Sequence, residues 1–178
     1  DLKTKDLDIS FVNWLLERIK EPFLNGDIHT ALLSSADGPK KQVAESRFRI
    51  PSRYPNADEY DVDIDEGGKV CRFDVPLANS DWMMDVPPVE YDDCKDKFFA
   101  FFEAVVEQTS RVFGKPVFNN GFGNPGFPVE NAEWAAIWDC KGTQLLVLEG
   151  QEDRDTPFAV SIVLTKKRAP EPTAHNFT

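Results

Sequence analysis

Residues 92–113 constrain the fold more than any other stretch. Phe98, Phe99, Phe101, Phe102, Val105, Val106 and Val112 recur at helical spacing and cover more than half of a helix circumference. Asp92 and Asp93 stand where a helix start favours acids, Gly114 where a helix ends, and Pro116 just beyond. A helix apolar on so wide a front cannot rest on a surface; other elements must clasp it. The chain has material for them. Its 178 residues are 41% apolar and include 14 Phe, enough for one domain with its own core.

The clasping elements read as an antiparallel sheet. Arg47-Phe48-Arg49-Ile50 alternates and ends at Pro51. Tyr60–Asp65 alternates next, and Gly67-Gly68 signals a hairpin. With those two glycines as the loop, Glu66 faces Lys69, Asp63 faces Arg72, Val62 faces Phe73 and Ile64 faces Cys71, while Asp61 faces Asp74 and gains no cation. That like-charge pair implies open solvent or a missing partner. Trp134–Cys140, Gln144–Gly150 and Pro157–Thr165 follow as strands, and their short connections make neighbours antiparallel. Phe158, Val160, Ile162 and Leu164 share one face of the last, and Trp134 and Trp138 are expected to pack on the Phe-rich helix.

At the N-terminus, Asp8 or Ser10 caps a helix running to about Lys20, with Phe11, Trp14, Leu15 and Ile19 on one stripe and Pro22 as its stop. Residues 27–36 suit a short helix or a strand, and Asp37-Gly38-Pro39-Lys40-Lys41 a turn. Residues 76–91 and Phe118–Pro128 read as irregular connections. The expected fold is α+β: an antiparallel sheet of about five or six strands on the long helix, plus the N-terminal helix. It forms a single domain over 1–178, with a frayed tail from about 167.

Charge narrows the partners. The net charge is −11, from 31 acidic and 20 basic residues. Nucleic acid and anionic membranes are recognised by the opposite sign, so a basic protein is the better match. Six acids lie in Asp58-Glu59-Tyr60-Asp61-Val62-Asp63-Ile64-Asp65-Glu66, where alternation places Asp61, Asp63 and Asp65 on one face. No apolar run is long enough for a spanning helix. Cys71, Cys94 and Cys140, spaced 23 and 46 residues apart, fit neither a disulfide framework nor a zinc pattern. They read as small core residues in a reducing, cytoplasmic setting. The first residue is Asp1 rather than Met, so a removed leader stays open.

The motifs that name chemistry fall short. Asp61-Val62-Asp63-Ile64-Asp65 resembles the start of a calcium loop, but Glu66 replaces the turn glycine and Arg72 the closing Glu. Gly121-Phe122-Gly123-Asn124-Pro125-Gly126 spells G-x-G-x-x-G, yet Phe127-Pro128 follows where a helix should open. Phe118, Phe122 and Phe127 there either form a contact surface or fold back over the sheet edge. His29 and His175 are the only histidines, and neither adjoins a Ser or Cys in sequence. No metal or cofactor is expected.

Residues 92–166 resemble bacterial immunity proteins, small acidic α+β proteins that neutralise toxins passed between competing cells. The likeness lies in the helix ending at Phe113-Gly114-Lys115-Pro116, the Gly-rich loop, Trp138, Gly142, Leu145-Leu146-Val147-Leu148, Glu152-Asp153 and the Pro157–Leu164 strand. It implies a cytoplasmic protein that occludes a basic toxin without chemistry of its own. On that reading Asp58, Glu59, Asp61, Asp63 and Asp65 supply charge, and Trp82 or Phe122 supplies an anchor. The alternatives are a small-molecule hydrolase, using carboxylates or Cys140 beside His29, and a structural or adaptor module of a secretion or phage assembly.

Overall fold

The structure, a computed structural model, describes residues 8–37, 41–55, 57–128 and 131–167. Helix α1 (Ile9–Leu24) opens on Asp8, whose carboxylate accepts from the Ser10 N–H at 2.8 Å. It does not stop before Pro22 but runs through it. The ring falls in the last turn, so only one bond near the end of the helical ladder is lost, and Phe23 just beyond is buried edge-on against Phe113 at 5.1 Å. Helix α2 (Ile28–Ser35) settles residues 27–36 as helical. Asp27 caps it, accepting from the Thr30 N–H at 2.9 Å and the Thr30 hydroxyl at 2.7 Å.

The strands are β1 (Lys41–Gln42), β2 (Arg47–Pro51), β3 (Glu59–Ile64), β4 (Val70–Asn79), β5 (Phe118–Gly121), β6 (Trp134–Cys140), β7 (Thr143–Gly150) and β8 (Ala159–Lys166). They form one antiparallel sheet in the order β1-β2-β3-β4-β8-β7-β6-β5. Eight strands replace the five or six expected. β1 is too short to carry a pattern. Phe118-Asn119-Asn120-Gly121 has turn composition and becomes β5 only because β6 offers it a ladder. β4 runs on to Asn79 through Pro76, which a register shift before Ala78 accommodates.

The hairpin register is as expected for Asp61, Val62 and Asp63. A shift then pairs Ile64 with Val70 instead of Cys71, and the Cys71 thiol donates to the Asp63 carbonyl at 3.5 Å. The turn is closed by Asp65, whose carboxylate accepts from the Gly67 and Lys69 N–H groups, so Glu66 does not face Lys69 across a ladder.

Helix α3 (Pro88–Phe113) begins four residues before the expected Asp92, with proline at its first position, where a helix has no use for the N–H. Its seam with the sheet is aromatic. Tyr91 and Phe98 meet Phe158 at ring distances of 5.2 and 6.0 Å, and Phe99 meets Trp134 at 5.0 Å. The Trp138 indole N–H donates to the Gly114 carbonyl at 2.8 Å. All three helices and one sheet face share a single core. Among the described residues no helix is long and apolar enough to cross a membrane. The frayed tail expected from about 167 and the centre of the 37–41 turn lie outside the described residues.

Gly150 ends β7 beneath the strand leading into β6. A Cβ there would sit 2.5 Å from the Glu133 nitrogen and 2.8 Å from the Ala132 Cα. Gly150→Ala should therefore lower stability by about 1–3 kcal/mol, and Asp27→Ala by about 1 kcal/mol through the lost cap. Both are read as lowered urea midpoints at unchanged slope. Thr30 holds the Asp27 carboxyl below its ordinary value. The stabilisation from this cap is thus complete above the ordinary Asp range and lost as pH falls below it.

Candidate protein-docking surface

The acidic strand is not a bare negative row. Arg49 Nε lies 3.0 Å from Asp61 and Arg47 Nε 3.1 Å from Asp63, both across the β2–β3 ladder. Arg72 reaches Asp74 at 2.9 Å along β4, and Lys166 reaches Asp65 at 2.9 Å. The hydrogen bond from Lys166 holds the Asp65 carboxyl below its ordinary value. Asp61, expected to lack a cation, has one. A hairpin shows each residue one cross-strand neighbour, whereas an interior strand has two, and β2 brings the arginines on the second side. The result is a ladder of alternating charge on the sheet face away from the helices. Asp58 and Glu59 differ: they stand exposed at the entrance to β3, at the end of the sheet where β4 finishes.

The other half of that open face is apolar. Ala135, Ile137, Leu146, Leu148 and Val163 form a second cluster, covered by Phe118 and Phe127. The glycine-rich loop makes this possible. Gly123 and Gly126 adopt φ of 86° and 88°, turning the chain back over the sheet instead of opening a helix. Two of the three phenylalanines therefore fold back. Phe122 stays 77% exposed, edge-on to Phe127 at 5.7 Å. The sheet edge beside it is closed to further strands at Gly121, whose N–H donates to the Asn120 side chain and whose carbonyl accepts from Asn124.

A different surface forms where β4, β7 and α3 share one end of the sheet. Trp82 is 64% exposed there, beside exposed Met84 and Val89. Its neighbours fix it from below. The Ser80 hydroxyl donates to the Asp81 carbonyl at 2.8 Å and accepts from the Phe158 N–H at 2.9 Å. Met83 is buried, and its N–H donates to the Asp155 carbonyl at 3.0 Å. Asp85 takes a left-handed φ of 59°, and the Val86 N–H returns to the Met83 carbonyl. The loop expected to be irregular is thus a built turn holding an indole outward.

The charge around Trp82 is one-sided. Segments 80–93 and 150–157 hold eight acids (Asp81, Asp85, Glu90, Asp92, Asp93, Glu152, Asp153 and Asp155) and one base, Arg154. All eight are exposed. Of these, only Asp93 forms an ion pair with a described residue, Lys97 at 2.7 Å. Arg154 instead lies over the Tyr91 ring at 5.9 Å. Phe122 closes the same end of the sheet on β5, four strand spacings or roughly 19 Å away. Trp82, Phe122, Asp58 and Glu59 therefore share one end of the molecule, while Asp61, Asp63 and Asp65 belong to the ladder. Sequence reading passed over the acids flanking Trp82 because they are scattered over two segments that meet only in the fold.

Cys140 and His29, two residues of the hydrolase alternative, both lie near the Leu24–His29 segment. The Cys140 thiol donates to the Leu24 carbonyl at 3.4 Å, and no hydrogen bond joins it to His29. His29 borders an open pocket with Asp27, Lys69 and Lys166. No family model, curated protein or solved structure matches this chain.

Asp63→Lys would place a third cation between Arg47 and Arg72. It should lower stability by roughly 1 kcal/mol, from a lost exposed pair and like charges opposite one another. Measured by urea unfolding, the loss should shrink as salt is raised.

Proposed function

We propose that the chain is an immunity-type binding protein that neutralises a basic toxin domain by covering it, and that it docks through the Trp82 end of the sheet. The observation that carries this reading is an exposed indole held in place by buried Ser80 and Met83 and flanked by exposed acids of which only Asp93 pairs with a described cation. Tryptophan is the side chain most enriched where interfaces concentrate their energy. A preformed loop spares the ordering cost that a mobile one would incur on binding. The uncompensated acids complement a lysine- and arginine-rich surface and speed encounter with it.

At the opposite end, beside the β3–β4 and β6–β7 turns, exposed Lys166 and Lys167 are paired with Asp65 and Asp139. The resemblance of residues 92–166 to immunity proteins supports the same role. A cytoplasmic site of action and no catalysis of its own go with it. In this scheme the ladder of Asp61, Asp63 and Asp65 is structural, and Asp58, Glu59 and Phe122 join Trp82 at the interface.

Co-expression tests the reading. A polypeptide encoded beside this chain should arrest growth alone, and this chain should restore it. Trp82→Ala should weaken the complex by about 2 kcal/mol or more. Asp81→Lys with Asp85→Lys should slow association and flatten its salt dependence. Rescue without any physical complex would end the occlusion mechanism. Full affinity in all three substitutions would move the interface away from this loop.

A further inference from the structure

Glu149 is the anomaly of the interior. It lies on β7 between Trp134 of β6 and Val160 of β8, on the face covered by α3, and is only 1% exposed. Its Oε1 is the only buried side-chain nitrogen or oxygen among the described residues without a hydrogen-bond partner. A buried acceptor without a donor is costly, and a buried carboxylate without one far more so.

The charged groups around it do not solve the problem. Glu133, just ahead of β6, adds a like charge, and its backbone N–H already donates to the Glu149 carbonyl at 2.8 Å. Lys95 of α3 favours the ionised form but is committed to Glu133 at 2.7 Å. Tyr91 of α3 faces that same pair, with Asp92 of α3 and Arg154 of the β7–β8 connection beside Tyr91, and the β8 side presents Val160, with Phe158 just ahead of the strand. Burial first, then Glu133, pushes the Glu149 carboxyl up to about 7.

The surroundings make this junction consequential. The Tyr91 hydroxyl donates to Gln151 at 2.7 Å, and the Gln151 side chain donates to the Arg154 carbonyl at 3.0 Å. Asp155 next to it receives the Met83 N–H. The segment 131–133 crosses directly over Gly150. We propose that Glu149 is a proton-operated latch: as the neutral acid it lets α3 close on β6 and β7, and on losing its proton it loosens the junction from which the 80–87 and 151–157 loops are hung. Ionisation puts a second negative charge beside Glu133 with one lysine to share, and water can reach it only if the first turns of α3 lift.

The sign follows from the two states. The unfolded carboxyl ionises near 4.5 and the folded one near 7. Between those values the unfolded state sheds its proton first, so stability falls as pH rises, then levels off above about 7. The unfolding constant should rise roughly 300-fold over that window, ten to the power of the difference between the two values. Glu149→Gln should remove this slope, whatever its absolute stability. Amides of residues 89–98 and 131–134 should lose hydrogen-exchange protection in the wild type as pH rises toward 7, and keep it in Glu149→Gln. The wild-type urea midpoint measured across pH 5–8 decides the matter even if the variant does not fold. A midpoint that stays level or rises, or parallel profiles for the two proteins, would overturn the latch. None of these readouts involves a partner, so they stand or fall apart from the docking surface.

Discussion

The structure hangs on the aromatic seam between α3 and the sheet. Tyr91 and Phe98 close on Phe158 and Phe99 on Trp134, the Trp138 indole reaches the Gly114 carbonyl at the far end, and Phe113 there also meets Phe23 of α1. Each ring removes a large apolar area from water, and the offset and edge-on contacts add to that. The seam runs the whole length of the helix. It therefore fixes where both ends of α3 lie against the strands, and with them every loop at those ends.

Because the helices crowd one face, the opposite face must be made soluble another way. Two solutions coexist on it. Toward β5 the face is apolar, and the glycine-bent loop lays Phe118 and Phe127 over it. Toward β2 it is charged, and arginines of β2 and β4 interleave with aspartates of β3 and β4. An isolated pair of this kind contributes little. A row of alternating signs still disfavours strand slippage, since a one-residue shift would turn every charge into the core.

The chain's net negative charge is thus spent unevenly. Acids on the ladder are balanced by neighbours, while of those around Trp82 only Asp93 pairs with a described cation. An exposed tryptophan, a backbone that fixes it from beneath and a field of one sign make a surface suited to a basic protein. The junction under that surface holds Glu149, so the most acidic end of the molecule also has a buried carboxyl at its root.

Much of this was legible in order along the chain. The period of the Phe-rich segment, the strict alternation of Phe158, Val160, Ile162 and Leu164, and the glycine pair after the acidic strand marked a helix, a strand and a hairpin, because each signal is local. Strands β1 and β5 were not legible: two residues carry no period, and an Asn-Asn-Gly run forms a strand only beside β6. The start of α3 at Pro88 was missed because its first turn is exposed and has no apolar rhythm. The fate of the aspartates was hidden for a plainer reason. Sequence shows how many charges there are and which side of a strand they take. Only the sheet decides that Arg47 and Arg49 lie across from Asp63 and Asp61, and that Asp81, Asp85 and Asp155 come together, because Coulomb forces act on distances in space that chain separation does not set.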